Sequence, residues 1–166
     1  MIIKSLSRTI GVKQIIEYIF LDDKSLFDSN KNKIIIRHNI RGNTINNWVK
    51  EFNENEKNRV NKRINNVKIY HTIISFSSLD TQYLTIKVLK DFATHFIKLR
   101  GEKNLFLGTS HYDKEHIHLH ILMSGIQYLT GKSNRISREE FKQLKLSMDE
   151  YQREKYPLLV NSLFSI

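Results

Sequence analysis

The sequence predicts an α+β fold, in which a central antiparallel sheet carries helices packed mainly on one face. Two strand-like segments near residue 115 adjoin each other with only a short turn between them, which is typical of an antiparallel hairpin. The overall order reads α β α β α β β α, and this arrangement favours the α+β class. The 166 residues and their 40% apolar content suit one domain with one core, spanning residues 1–166.

The first half of the chain predicts two helices and two strands. The helices are expected over residues 10–20 and 44–52, and the strands over 33–37 and 67–76. Thr44 can cap the second helix, whose apolar side carries Trp48 as an expected core residue. Residues 53–66 are rich in Asn and charge, which predicts an exposed helix end or a mobile loop beside nucleic acid.

The second half predicts a long helix, a hairpin and a last helix. The long helix is expected over residues 82–100, with an apolar stripe along one side and Gly101 at its end. The hairpin strands are expected over 104–111 and 116–124, joined by a turn at 112–115. The last helix begins after Ser137, which has capping-box spacing to Glu140.

The balance of charge points to a polyanionic partner. Lys and Arg number 27 against 17 acidic residues, a formal charge of +10, which favours phosphate-rich partners through counterion release. A membrane surface or simple solubility would also explain the charge. The absence of cysteine excludes disulfides and thiolate metal sites. No apolar stretch is long enough to span a membrane, so we expect a cytoplasmic protein with no membrane partner.

Four of the seven histidines lie within residues 111–120, and three of them alternate with apolar residues on a predicted strand. Alternate side chains of a strand share a face. The residues expected on one face are His116, His118 and His120. The residues expected to point into the core are Ile117, Leu119 and Ile121. Because the two strands form a hairpin, His111 at the end of the first strand should lie beside the histidine row.

Imidazoles that converge from paired strands are good ligands for a divalent cation. Asp113 would then hold a ring N–H of one ligand, or serve as a turn residue. Ordinary surface histidines and a structural zinc site are the alternatives. Two enzyme classes use such a strand. Histidine-triad nucleotide hydrolases make the middle histidine, here His118, the nucleophile, whereas HUH endonucleases use the pair His118 and His120 as metal ligands.

The spacing from His111-x-Asp113 to His118-x-His120 resembles the third motif of relaxases of the mobilisation families, H-x-D-x(4)-H-x-H. Most of the chain shares this resemblance. The pair Tyr18-Ile19 is similar to the segment that bears their nucleophile. Two further segments are similar to those on either side of the relaxase histidine motif. They are residues 71–76 with the following Asp80, and residues 133–162. Two features depart from the family: Ser124-Gly125 stands where relaxases often have Asn, and the chain is short.

The resemblance implies an HUH-type, palm-like sheet and a tyrosine that forms a 5′-phosphotyrosine with single-stranded DNA at an origin of transfer. It also implies Mg²⁺ or Mn²⁺, although imidazole ligands by themselves favour zinc or nickel. The expected ligands are His111, His118 and His120. No small-molecule cofactor is expected, and an accessory protein of a relaxosome is an expected partner. His116 would be a fourth ligand, a proton carrier or a phosphate contact.

Tyr18 is the expected nucleophile, because helix geometry places it roughly 130° away from the apolar face of its helix. Tyr112, inside the histidine motif, is the rival, although on the turn its side chain is expected to point away from His111. His71 would support the site or be buried structure, and the second interpretation is favoured. The basic residues expected to contact DNA are Arg8, Lys13, Arg37, Arg41, Lys132 and Arg135.

Three other functions stay open at this point. The first is a non-cleaving DNA-binding accessory protein, suggested by the missing Asn and the short chain. The second is the histidine-triad hydrolase, which would explain neither the +10 charge nor the other relaxase-like segments. The third is a replication initiator or transposase of the same HUH chemistry. These commonly carry their nucleophile C-terminal to the histidine strand, so the position of Tyr18 argues against them.

Overall fold

A five-stranded sheet organises the part of the chain that the computed structural model describes, residues 1–27, 33–113 and 115–163. The strands, in chain order, are β1 (Ile2–Arg8), β2 (Ile36–His38), β3 (Ile69–Ser75), β4 (Phe106–Asp113) and β5 (His116–Ser124). Their spatial order is β1-β3-β5-β4-β2, and every pair of neighbours is antiparallel. The predicted α+β class with a central antiparallel sheet is therefore confirmed.

The hairpin of β4 and β5 forms the middle of the sheet and fixes the positions of the histidines. His111 lies opposite His118 across this pair, and Asp113 lies opposite His116. At the turn, Glu115 has a φ of 66°, whereas Lys114 of the predicted turn lies outside the described residues. On the other side of β5, β3 places Ser75 opposite His118. Because side chains alternate along each strand, these residues share one face of the sheet.

The other face of the sheet packs against two helices, α3 (Ile86–Arg100) and α4 (Arg138–Lys155). Ile117, Leu119 and Ile121 all lie in this core, as the alternation predicted. Thr85 caps α3, and Gly101, at a φ of 107°, ends it with a hydrogen bond from its N–H to the Ile97 carbonyl. The capping box predicted from Ser137 and Glu140 is present at the start of α4.

The histidine face is covered only in part, by α1 (Val12–Leu21) and α2 (Ile45–Lys57). These helices form a second apolar cluster with the far end of the sheet, where Leu107 of β4 and Leu122 of β5 are fully buried. Trp48 lies in this cluster, 3% exposed. The helices are thus shared between the two faces more evenly than predicted, because the apolar stripes of α1 and α2 need a sheet surface of their own.

Some elements differ from the sequence prediction. Strand β1 was not predicted, because it is an edge strand whose residues are mostly exposed and polar. Helix α2 continues to Lys57, past the predicted residue 52. A 3-10 helix over Ser78–Tyr83 precedes α3, which therefore begins later than predicted. No helix within the described ranges combines the length and the apolar character needed to cross a membrane.

Candidate active site

The uncovered part of the histidine face forms a cavity of about 270 Å³ between the sheet and α1. Histidines from both hairpin strands line it, together with Tyr18 from α1 and Ser75 from β3. The remaining lining residues are Ile2, Lys4, Asp22, Lys24, Ile73 and Asp113. Four separate parts of the chain therefore contribute polar side chains to one small cavity.

The three predicted ligands are gathered in this cavity, and His116 is set apart from them. The ring centroid of His120 lies 4.4 Å from that of His111 and 6.4 Å from that of His118. His116 is exposed and lines a neighbouring cavity with Ser77. Its Nδ1–H donates to the Phe76 carbonyl at 3.1 Å. The structure thus brings together His111, His118 and His120 and leaves His116 at the margin.

Each of the three gathered rings has one nitrogen held by a neighbour. The Nε2–H of His111 donates to the carbonyl of Ile19 in α1 at 2.7 Å. Nδ1 of His118 is hydrogen-bonded to the Ser75 hydroxyl at 2.7 Å. Nδ1 of His120 lies 3.0 Å from Nε2 of His71. The second nitrogen of each ring is left for the cavity, an arrangement that is typical of oriented metal ligands.

Burial lowers the pKa of three imidazoles in this region, His71, His118 and His120, and so favours their neutral form. Burial, reinforced by the charge of His111, lowers the pKa of His120 to about 3. Burial and the nearby Arg8 guanidinium lower the pKa of His71 to about 4. The pKa of His118 is also lowered, chiefly by burial and by His116. Metal binding requires neutral imidazole, so these rings are ready to act as ligands near neutral pH.

The depressed pKa values predict that the metal-free protein loses stability in acid. His71 and His120 titrate near 6.5 when unfolded, and near 4 and 3 when folded. Between these values the unfolded chain binds more protons, so the stability present above pH 6.5 is lost as the pH falls toward 4. The lowering of the His71 pKa from 6.5 to about 4 corresponds to roughly 3 kcal/mol.

Urea unfolding in a chelator at pH 7.0, 5.5 and 4.5 measures this loss. The matched variant is His71→Phe, which keeps a buried ring but cannot titrate. It should show a clearly smaller loss between pH 7.0 and 4.5. An equal loss in the variant and the parent would contradict the role of His71.

Tyr18 projects from α1 toward the histidines. Its ring centroid lies 6.4 Å from that of His120, with the two planes at 79°. The side chain is 55% exposed, so it can meet a bound strand as well as the cavity. The bond from His111 to the Ile19 carbonyl fixes this end of α1 to β4. The rival Tyr112 pairs with Ile117 and therefore lies on the other face of the sheet.

Asp113 is bound to a lysine in this cavity. Its carboxylate accepts a hydrogen bond from Lys24 Nζ at 3.1 Å, and this ion pair raises the pKa of Lys24. The neighbours that hold the histidine nitrogens are instead Ile19, Ser75 and His71. The role of Asp113 beside a ligand stays a prediction.

The structure separates the six basic residues predicted to contact DNA into three groups. Arg8 lies at the end of β1, opposite Ile69, and Lys13 lies at the start of α1. Arg37 is bonded to the loop at Gly42, and Arg41 lines a cavity that contains Glu51 and Glu54. Lys132 and Arg135 line a third cavity. None of these six lines the histidine cavity; its lysines are Lys4 and Lys24.

The sequence reasoning missed Ser75, Lys4 and Lys24, and it favoured a structural role for His71. His71 and Ser75 lie four residues apart on a predicted strand, so they share a face. Together with the pairing of β3 with β5, which the sequence does not reveal, this shared face would have placed both side chains beside the histidine row. Lys24 gave no signal, because it reaches the site through a contact with residue 113, 89 positions away.

The donor set of the cavity fits a divalent cation in its chemistry. It offers three imidazoles, each with one nitrogen held by Ile19, Ser75 or His71 and the other left for the cavity. Across the described ranges, no three or more His, Cys, Asp or Glu side chains are already arranged to hold a metal ion. The three rings would have to move closer together before they could hold one ion.

Residues 18–156 match the model of the family described as relaxase, MobA/VirD2-like, nuclease domain. The chain belongs to this relaxase family. The matched region begins at Tyr18 and includes every histidine of the cavity. No curated protein matches the chain. The family assignment decides against the histidine-triad alternative, since one family model spans the end of α1, the hairpin and α4.

Solved structures share the fold of this relaxase. One is the MobM relaxase domain (MOBV; Mob_Pre), Mn-bound and bound to 22 nucleotides of plasmid pMV158 oriT DNA. It is 14% identical with a TM-score of 0.62, over 94% of this chain and 88% of that chain. The same domain bound to 26 nucleotides of pMV158 oriT DNA has 14% identity and a TM-score of 0.64, over 98% and 88%. At this identity the likeness establishes the fold.

Proposed function

We propose that this relaxase nicks single-stranded DNA at an origin of transfer and rejoins it, with Tyr18 as the nucleophile. The observation that carries the proposal is the position of Tyr18, an exposed phenol on the rim of a cavity lined by three histidines. The MobM relaxase domain, which has the same fold, is bound to oriT DNA in its solved structures.

In the proposed reaction the Tyr18 hydroxyl oxygen attacks the scissile phosphorus. An O–P bond to the tyrosine forms and the bond to the 3′ oxygen breaks, which leaves a free 3′-OH and a 5′-phosphotyrosine. A phenolate is a competent leaving group, so attack by a 3′-OH reverses the step and reseals the strand. The tether from His111 to the Ile19 carbonyl holds Tyr18 in place for both directions.

His111, His118 and His120 would hold a divalent metal ion, which when bound neutralises charge on the scissile phosphate. Mn²⁺ or Mg²⁺ is proposed, because the MobM relaxase domain of the same fold was solved with Mn bound. Ser75 and His71 orient two of the rings. Lys4 adds positive charge to the wall of the cavity, whereas the charge of Lys24 is paired with Asp113.

Residues 1–166 would act as one nuclease domain, since the family match and β1 together draw on nearly all of the chain. The cytoplasm, where plasmid DNA is found, would be its location. An accessory relaxosome protein would be its partner. Co-purification of a tagged chain from cells with and without the mobilisable plasmid would test the last point, and no plasmid-dependent partner would contradict it.

The absence of Asn after the last histidine does not weaken the proposal. Ser124, which stands at that place, is 1% exposed, and its hydroxyl accepts a hydrogen bond from the Asn55 side chain at 2.8 Å. It is not among the residues that line the histidine cavity. The departure from the family pattern is therefore a change in packing between β5 and α2, outside the proposed active site.

The direct test is capture of a covalent intermediate. The purified protein is incubated with Mn²⁺ or Mg²⁺ and single-stranded DNA from around its own gene, and denaturing electrophoresis then detects a protein–DNA adduct. We expect an adduct that disappears when EDTA removes the metal and returns when Mn²⁺ is restored. Tight DNA binding without any adduct, across tiled DNA from the whole element, would instead support the non-cleaving accessory protein.

A further inference from the structure

A positively charged cleft of about 620 Å³ lies at the other end of the sheet from the active site. Four cationic side chains line it, and no carboxylate does among the residues that the structure describes. The cationic residues are Arg59, Arg63, Lys132 and Arg135. Three asparagines, Asn61, Asn65 and Asn66, also line the cleft and can hydrogen-bond to phosphates or bases.

The cleft is built by two loops that cross at short range. A Cβ on Gly131 would lie 1.9 Å from the Asn58 carbonyl oxygen, and a Cβ on Gly125 would lie 1.8 Å from that of Val67. Glycine is therefore required at both crossings. The Val60 N–H also donates to the Gly131 carbonyl at 3.2 Å. The walls are thus fixed before any ligand arrives, which lowers the entropic cost of binding.

Three of the four cations are available to a ligand. Arg59 is 7% exposed and is committed to structure, since it binds the Glu56 carboxylate at 2.6 Å and the Val67 carbonyl. Arg63, Lys132 and Arg135 are exposed. None of these three forms an ion pair within the described part of the chain. Their charge is left uncompensated in the folded protein.

An aromatic side chain forms part of the cleft. Tyr70 is half-buried, and the Arg100 guanidinium lies 5.7 Å from its ring centroid. Burial raises the pKa of the Tyr70 hydroxyl, although Arg100, Arg135 and Arg59 act to lower it. A tyrosine among guanidinium groups is the kind of surface on which unpaired bases stack.

The cleft is too far from the histidines to contact the scissile phosphate. Tyr70 lines the cleft and Ser75 lines the active site, five residues further along β3. At about 3.3 Å per residue this separation is roughly 17 Å. It corresponds to about five nucleotides at the 3.4 Å spacing of a duplex strand, and to fewer in a stretched single strand.

We propose that this cleft is a second DNA-binding site, which holds the backbone of the single strand several nucleotides from the nick. The inference rests on the proposed function for the identity of the ligand. It explains the Asn-rich segment 53–66, whose second half forms one wall of the cleft. The site would strengthen binding of long strands and make that binding salt-dependent, without taking part in the chemistry.

Binding of thymidine oligonucleotides of 5 to 20 residues tests the proposal. The cleft variant replaces Arg63, Lys132 and Arg135 by Gln. A matched control makes the same replacement at three exposed lysines on the side of the sheet covered by α3 and α4, Lys87, Lys90 and Lys142. We expect the cleft variant to bind the 20-mer at least about 10-fold more weakly. The slope of the logarithm of its binding constant against the logarithm of salt concentration should be shallower by about 2. The 5-mer should lose less than about 3-fold, and the control variant should change little at either length.

Equal losses of affinity in the cleft and control variants would show that net charge alone causes the loss, and would overturn the proposed site. A loss of affinity that does not depend on oligonucleotide length would also overturn the proposed site. An unchanged affinity would overturn it as well, and would point to an acidic protein as the occupant of the cleft. Thermal melting checks that both variants fold. The adduct assay separates this test from the proposed function, because a cleft variant that still forms an adduct shows intact chemistry whatever its affinity.

Discussion

Tyr18→Phe is expected to abolish the covalent DNA adduct, lowering the rate of cleavage by at least about 1,000-fold. The substitution removes only the hydroxyl oxygen that would attack phosphorus. The ring stays on α1, and the side chain is 55% exposed, so the free energy of unfolding should change by less than about 0.5 kcal/mol. DNA affinity should stay within a few-fold. Adduct yield and equilibrium binding to the same oligonucleotide are the two measurements.

Tyr112→Phe is the matched control for this experiment. Tyr112 is also a partly exposed tyrosine, 44% accessible, and it lies inside the histidine motif. Its pairing with Ile117 places it on the opposite face of the sheet from the histidines. We expect this variant to cleave like the parent. An adduct that survives Tyr18→Phe and is lost in Tyr112→Phe would move the nucleophile and require the hairpin to present its other face.

The hairpin was predictable because its signal is local. Alternation of His and apolar residues over 116–121 sets both the burial of Leu119 and the common face of the histidines, whatever the strand pairs with. Strand β1 gave no comparable signal. It is held at the edge of the sheet by its pairing with β3, from Ile2 opposite Ser75 to Arg8 opposite Ile69, and such a pairing is not encoded in local alternation.

The supporting parts of the site depend on contacts between distant segments. His71 meets His120 because β3 is the neighbour of β5 in the sheet, and Lys24 meets Asp113 because the segment after α1 runs beside β4. Charge alone does not indicate where a basic side chain lies in the fold. Arg37 is tied to its own loop, Arg41 lies beside carboxylates, and neither lines the histidine cavity, so their contact with DNA stays a prediction.

His118→Ala is expected to lower cleavage by more than about 100-fold and to weaken Mn²⁺ binding by a similar factor. His118 is one of the three rings that line the cavity, and its Nδ1 is already held by Ser75, which leaves Nε2 as the nitrogen for an ion. Calorimetric titration with Mn²⁺ in the absence of DNA gives the affinity. The adduct assay with saturating Mn²⁺ gives the rate.

His116→Ala provides the comparison, since it removes the same side chain two residues earlier on the same strand face. His116 is exposed, lines the neighbouring cavity and donates to the Phe76 carbonyl, so its loss should change Mn²⁺ affinity and cleavage by less than about 5-fold. Equal effects of the two substitutions would make His116 a fourth ligand. An adduct that forms in EDTA but requires His118 would assign that histidine as a nucleophile, because a metal ligand has no role once the metal is removed.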